Sequence, residues 1–197
     1  MARWHDIRSS AVEVTAPSAE PLSTAEGKSW LRVDHSAHDT LIGELIAASR
    51  QRLEHDIGRS LITTTWDLTA DAFPDERAIP LPRVPVASIT SVTYYSEADA
   101  SSTLAASAYL VDTASGRLAL NDDEDWPTTD LRDHNAVVIR FVAGYGAAST
   151  DVPQPLRLAL YRLLALAYDE AIPSDRKGAP EREYDALIAP YRAQAIG

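Results

Sequence analysis

The stretch STAEGKSWLRVDHSAHDTLIGELIAASRQRLEHDIGRSLI, residues 23–62, decides the fold of this chain. It predicts a short helix, a polar break, a longer amphipathic helix and the start of a strand. Ser23 and Glu26 form an S-x-x-E capping box, in which each side chain satisfies a free amide of the first helical turn. Gly58 stands where a left-handed residue ends a helix. We therefore place two helices within residues 23–57.

The longer helix is indicated by apolar residues that recur at helical spacing from about residue 37 to Gly58. Asp34 or Ser36, in the polar break, is its expected N-cap. Its apolar stripe is expected to pack against its own domain. The opposite, polar face carries three charged residues: Glu44, Arg50 and Arg52. The sequence leaves open whether this face meets solvent or a neighbouring subunit.

The pattern changes to strands over residues 60–145. Residues 62–70 alternate between apolar and polar positions, as in a strand with one buried face. Prolines on either side of residues 79–82 indicate a short edge strand there. Residues 89–95 are rich in β-branched and aromatic side chains, and residues 109–120 fit two strands across a tight turn. An apolar strand follows over residues 136–143. We expect an antiparallel β section here.

The chain returns to helix over residues 153–172, with Pro153 and Pro155 near the first turn, where proline is tolerated. This helix is apolar almost all round, which indicates burial on several sides. In a domain of this size, a subunit interface is one explanation for such a helix. Residues 173–197 are expected to form a charged loop and a short final helix.

These elements predict an α+β fold. Its helical part comes from both chain ends, as an N-terminal helix pair plus a long C-terminal helix, and the antiparallel β section is inserted between them. Residues 22–172 would form this domain. Residues 1–21 resemble an extended N-terminal arm, because alanine, serine, proline and charge dominate them. The arm carries three candidates for docking on a partner: Trp4, Ile7 and Val12.

Composition narrows the classes of function. The chain has 29 acidic and 18 basic residues among 197, a formal charge of −11, and no cysteine. Tight binding of nucleic acid by counterion release needs the opposite balance. No apolar run approaches the ~18 residues that cross a bilayer, and no secretory signal is evident. We expect synthesis in the cytoplasm and no membrane association.

The sequence gives little evidence for a catalytic or metal-binding site. His35, His38 and Asp39 lie in the polar break, but a zinc site needs three or four convergent donors and no second cluster is evident. The acidic run at residues 122–125 lacks the spacing of a calcium loop. We therefore predict no catalytic residue, no cofactor and no metal.

Two other functions stay open on the residues alone. One is a monomeric peptide- or sugar-binding module, which would use aromatic residues of the β section: Tyr94, Tyr95, Tyr109 or Trp126. The other is a hydrolase with convergent carboxylates and histidines, drawn from His35, His38, His55 and His134.

Three strings carry a resemblance to a known family: L-R-V-D-x-x-x-x-D at residues 31–39, G-R-x-L-I-T-x-T-W at 58–66 and F-V-A-G-Y-G at 141–146. Together with their surroundings, from Pro21 to about Ala171, they resemble the head–tail connector or adaptor proteins of tailed bacteriophages, the gp6-like or phiE125 gp8-like family. Gene transfer agents, which are phage-like particles, use similar adaptors. The sequence leaves open which of the two this chain serves.

The resemblance implies a structural protein of the neck of a virion or phage-like particle. Such adaptors form a ring, typically twelvefold, between the portal and the stopper or tail terminator, and they extend the DNA channel without specific DNA binding. The candidate ring interface consists of residues from both long helices: Leu41, Leu45, Arg52, Leu158, Tyr161 and Tyr168. Which surface meets the portal, and whether the arm or the tail docks there, stays open.

Overall fold

The computed structural model of the chain describes residues 3–113, 115–172 and 181–192. Within these residues it contains four α-helices and eight β-strands, joined by turns and short 3-10 segments. The helices are α1 Thr24–Leu31, α2 Asp39–Ile57, α3 Gln154–Ala171 and α4 Glu181–Ile188. The strands are β1 Ser9–Thr15, β2 Thr64–Ala70, β3 Ala78–Pro80, β4 Val86–Tyr95, β5 Ser101–Thr103, β6 Tyr109–Asp112, β7 Arg117–Leu120 and β8 Val137–Ala143.

The chain divides into two compact units. Among the described residues, the helical unit is built from residues 17–62, 145–172 and 181–192, and the β unit from residues 3–16, 63–113 and 115–144. The helical unit is therefore formed by the chain segments that come before and after most of the β unit. This confirms the predicted α+β class.

The helix ends follow the sequence signals. The Ser23 hydroxyl accepts from the Glu26 amide at 3.2 Å, and the Glu26 carboxylate accepts from the Ser23 amide at 2.8 Å, which confirms the capping box. Gly58 ends α2 in the left-handed conformation, with φ of 66°. The prediction of Asp34 or Ser36 as the N-cap of α2 was wrong. His38 stands at that position and makes no capping bond with its side chain.

The core of the helical unit lies where α1, α2 and α3 meet. Gly27 marks the tightest approach, because a Cβ added there would lie 3.1 Å from side-chain atoms of Ile42, Ile46 and Leu164. The absence of a side chain at Gly27 lets α1 pack directly on both long helices. The fully buried members of this core include Ile42, Leu53, Leu61, Ile62, Leu156, Ala159, Leu164 and Ile188.

A buried ion pair holds the chain as it leaves α2. The Arg50 guanidinium donates to Glu20 and to Glu54, each at 2.8 Å, and Glu54 Oε1 accepts from the Leu61 amide at 2.7 Å. Arg50 is 6% exposed. Its predicted place on the polar outer face of α2 was therefore wrong, because two carboxylates supply the charge partners that let an arginine be buried.

The β unit contains two antiparallel sheets. The larger has the strand order β1-β2-β8-β4-β5, and the smaller has the order β3-β7-β6. The predicted alternation in β2 is confirmed, since Thr64, Trp66, Leu68 and Ala70 are buried and the residues between them are not. β8 pairs on both sides, with β2 and β4, and supplies Val137, Ile139 and Phe141 to the core.

Two strands were not predicted. β1 lies in the segment expected to be an extended arm, and it pairs with β2 at one edge of the larger sheet. β5 forms in the polar stretch after β4 and pairs back onto it. Both are at sheet edges, with nearly every residue exposed, so they lack the buried alternation that reveals a strand in a sequence.

No helix in the described ranges is long and apolar enough to cross a membrane.

Candidate assembly interface

The helical unit carries an apolar groove of about 440 Å³ on its surface. α1 contributes Trp30, α3 contributes four residues, and Leu187 of α4 closes the lining. The complete lining is Trp30, Gln154, Pro155, Leu158, Tyr161 and Leu187. Apart from the glutamine these side chains are apolar or aromatic, so the groove can receive an apolar side chain.

Helical geometry explains why large apolar side chains stand on this surface. Leu31 is buried in the core, and Trp30, one residue earlier, points about 100° away around the helix. On α3, Leu158 and Tyr161 are three residues apart and share one face. The buried stripe of α3 runs through Leu156, Ala159, Leu160, Leu163 and Leu164.

An aromatic stack forms one wall of the groove. The rings of Trp30 and Tyr161 are stacked, with centroids 4.8 Å apart and planes inclined by 27°. Trp30 is 41% exposed, one of four large hydrophobic residues with substantial exposure in the described parts of the chain. Exposed tryptophan in a preformed groove is typical of residues that dominate protein–protein contacts.

Ion pairs hold the groove in shape. Arg157 bonds to Glu26 at 2.5 Å, which joins α3 to α1, and Arg162 bonds to Glu183 at 2.9 Å, which joins α3 to α4. Hydrogen bonds from Ser23, and secondarily the Arg157 guanidinium, hold the pKa of Glu26 below its ordinary value against the opposing effect of burial. The carboxylate therefore stays charged through the neutral and mildly acidic range.

A second hollow of about 540 Å³ shares Trp30 and Tyr161 with the groove. Glu26, Ser29 and Arg32 complete its lining. Arg32 ends α1 in the left-handed conformation and is exposed. It forms no ion pair with any residue that the structure describes. The apolar groove thus has an available positive charge beside it.

The predicted ring residues fall into distinct environments. Leu158 and Tyr161 line the groove, while Leu41 and Leu45 are half-buried on α2. Arg52 is exposed and lies 3.9 Å from Asp56. Tyr168 differs from these, because it is 6% exposed within its own unit and its hydroxyl lies 2.7 Å from His38 Nδ1. Its side chain is a core element of the helical unit.

The predicted arm residues also differ in whether they are packed or exposed. The Trp4 amide donates to Glu76 at 3.1 Å, and the Trp4 and Ile7 side chains pack against the core of the β unit. Val12 is 59% exposed on β1. Of the three, Val12 is therefore the one available to a partner in this conformation.

The three residues considered for a metal site, His35, His38 and Asp39, have structural partners. His35 contacts His38 edge-on at 4.6 Å, and Asp39 pairs with Lys28 at 2.6 Å. Among residues 3–113, 115–172 and 181–192, no three histidine, aspartate or glutamate side chains are placed to hold a metal ion. In the β unit, Trp126 stacks on Phe73 at 4.9 Å and donates to the Glu76 carbonyl. That tryptophan is engaged in the fold.

Residues 23–125 match the family described as phage gp6-like head-tail connector protein, which is just over half of the chain. The chain belongs to the phage gp6-like head-tail connector family. The matched region of this connector contains α1, α2 and strands β2–β7. Trp30 lies inside it, whereas the groove residues on α3 and α4 lie beyond it.

Solved structures extend the likeness over almost the whole connector. A chain from the virion of a native gene transfer agent particle has a TM-score of 0.78 at 23% identity, covering 95% of this chain and 97% of that chain. A chain from the neck of the empty particle, computed with C6 symmetry, has the same score and coverage at 25% identity. A chain from the neck of the native particle, computed with C12 symmetry, scores 0.73 at 25% identity. No curated protein matches.

Four of the six groove residues were not among the predicted ring residues: Trp30, Gln154, Pro155 and Leu187. Pro155 was predicted only as part of the start of the last long helix, and Leu187 lies in a final helix for which no role was predicted. The adjacent pair Trp30–Leu31 was the available signal, because neighbouring residues on a short helix cannot both face one core.

Proposed function

We propose that this protein is a structural adaptor that forms a ring in the neck of a phage-like particle, between the portal and the stopper or tail. The observation that carries the proposal is the family match together with the likeness to neck chains over 95% of the length. In this role the chain binds other proteins and catalyses no reaction.

The ring is proposed to contain twelve copies. The related neck maps have C6 and C12 symmetry, and a twelve-membered ring is compatible with both. A cyclic ring needs a heterologous interface, in which one patch of each copy contacts a different patch of the next. The Trp30 groove is an apolar, preformed surface of the kind that such an interface requires.

The charge of the chain suits a wall around moving DNA. With a net charge of −11, the ring would repel the phosphate backbone over most of its surface. Repulsion prevents the non-specific adhesion that a basic surface produces. We therefore propose that DNA passes through the ring without being bound.

The test is assembly with the cognate portal protein. Native mass spectrometry and negative-stain electron microscopy of the purified chain mixed with portal are expected to show a twelve-copy ring on each portal. A chain that stays monomeric and never joins the portal would contradict the proposal. Monomeric behaviour in the absence of portal would not, because an adaptor can require its partner to assemble.

A further inference from the structure

The Trp30 groove has a composition that restricts its occupant. Trp30, Leu158, Tyr161 and Leu187 supply an apolar lining, and Arg32 supplies an exposed positive charge beside it. The best complement is therefore an exposed segment that combines aliphatic side chains with a carboxylate.

One exposed segment of the same chain has this composition. Val12 and Val14, on the edge strand β1, are 59% and 45% exposed, and Glu13 between them is also exposed. Within the described residues, the only other large hydrophobics with comparable exposure are Trp30 itself and Leu110. Glu13 forms no ion pair with a described residue.

Strand β1 is also open to a partner along its backbone. It pairs with β2 on one side and has no described strand on the other. The Arg8 carbonyl accepts from the Asp71 amide, and bonded pairs alternate along an antiparallel ladder. The amides and carbonyls of Ser9 and Ala11, and the amide of Glu13, therefore point away from β2, and the register of the pairing shifts after Glu13. Long open edges of this kind are normally covered or blunted.

We infer that the Trp30 groove of one copy receives the Val12-Glu13-Val14 segment of a second copy. This inference rests on the proposed ring, because it names the two different patches that a cyclic interface requires. Charge favours the same choice of occupant. Two copies that each carry −11 repel one another. Val12 and Glu13 are neighbours on β1 and point to opposite faces, so with Val12 in the groove Glu13 would turn toward the neighbouring hollow, where Arg32 supplies the opposite charge.

Complementation between two variants tests whether the contact is heterologous. Trp30→Ala removes one wall of the groove and leaves β1 unchanged. Val12→Asp places a charge in the apolar surface of β1 and leaves the groove unchanged. Each variant alone is expected to lose self-association by about 30-fold or more, the effect of a hot spot worth about 2 kcal/mol. An equimolar mixture is expected to form heterodimers and nothing larger, because each pair retains one intact contact. Leu110→Asp, at an exposed apolar site elsewhere, is the matched control and should associate as the wild type does.

A charge swap tests the pairing of the two patches directly. Glu13→Arg and Arg32→Glu are each expected to weaken self-association by about fivefold, because each places like charges together. A chain that carries both changes should regain wild-type association. Since the chain has no cysteine, Glu13→Cys with Arg32→Cys can be oxidised to give a ladder of disulfide-linked copies up to the closed ring. Glu13→Cys alone should give no ladder, because its cysteine meets no second cysteine at the proposed contact.

The outcomes separate this inference from the proposed function. Rings that form on the portal but tolerate Trp30→Ala and Val12→Asp would overturn the groove contact and leave the adaptor role intact. A double-swap chain that fails to recover, or a cysteine pair that gives no ladder in an associated sample, would also overturn it. So would a chain that stays monomeric at every concentration and on the portal, and that result would sink the adaptor role as well.

Discussion

Truncation of Glu54 to alanine is expected to destabilise the helical unit by about 3–4 kcal/mol. The Glu54 residue is 7% exposed at the end of α2. One carboxylate oxygen accepts from the Leu61 amide at 2.7 Å, and the other accepts from Arg50 at 2.8 Å. The side chain thus joins the helix to the segment that follows it.

Two losses make up the expected magnitude. The amide of fully buried Leu61 would lose its acceptor, which costs about 1–3 kcal/mol. The charged hydrogen bond from Arg50 would also be lost, at about 1.5–3 kcal/mol. Arg50 would keep its bond to Glu20 at 2.8 Å, so its charge would not be left uncompensated, and the total falls short of the simple sum of the upper values.

Urea unfolding of the full chain, followed by circular dichroism of the helices, measures this loss from the shift in midpoint. Glu44→Ala, at an exposed position of the same helix, is the control and should change stability by less than about 0.5 kcal/mol. Glu54→Gln keeps an acceptor for the Leu61 amide and should fall between the two. A loss below about 1 kcal/mol for Glu54→Ala would refute the reasoning, because the carboxylate would then not hold this part of the fold.

Three further predictions follow from the packing and from the pKa shifts. Gly27→Val should lower the free energy of unfolding in urea by about 1–3 kcal/mol, because side-chain atoms 3.1 Å from the added Cβ must move. A variant as stable as the wild type would show that the helices can separate freely. Because the pKa of Glu26 is lowered, its carboxylate stabilises the fold at pH values above its ordinary pKa of 4.5, and this stabilisation is lost as the pH falls. Glu26→Gln should therefore make the melting temperature fall less steeply in acid. A melting temperature that falls as steeply in acid as that of the wild type would contradict this. Burial, and then the hydrogen bond to Asp56, raise the pKa of Tyr184 above its ordinary value of 10.0. The protonated Tyr184 therefore stabilises the fold below pH 10.0, and this stabilisation is lost as the pH rises further. Tyr184→Phe should cost about 1 kcal/mol at neutral pH and remove this alkaline loss, and equal stability of the two chains at neutral pH would speak against the bond.

The elements with a buried face were predictable from the sequence. The spacing of apolar residues in α2 and the alternation in β2 both report contact with a core, and the structure has both where they were expected. The capping box at Ser23 and the stop at Gly58 are local, so they need no knowledge of the rest of the chain. This is why the helical unit was the most accurately predicted part.

Features that depend on distant partners were not predictable. Arg50 looks like a surface residue in sequence, and only the fold brings Glu20 beside it. Strand β1 is exposed over almost its whole length, so its pairing with β2 leaves no periodic signal. The Trp30 groove needs Leu158 and Tyr161 from a helix more than a hundred residues away. The resemblance to connector proteins was visible in short sequence strings spread along the chain, and not in a motif of catalytic or ligand-binding residues.

A cryo-electron microscopy map of particles that contain this chain is the most direct test of the neck-adaptor role. The account predicts a ring of this chain around the DNA channel, in contact with the portal, with the helical unit of each copy against its neighbour at the Trp30 groove. A map that places the chain outside the neck, or a neck ring that is fully explained by other proteins, would contradict it.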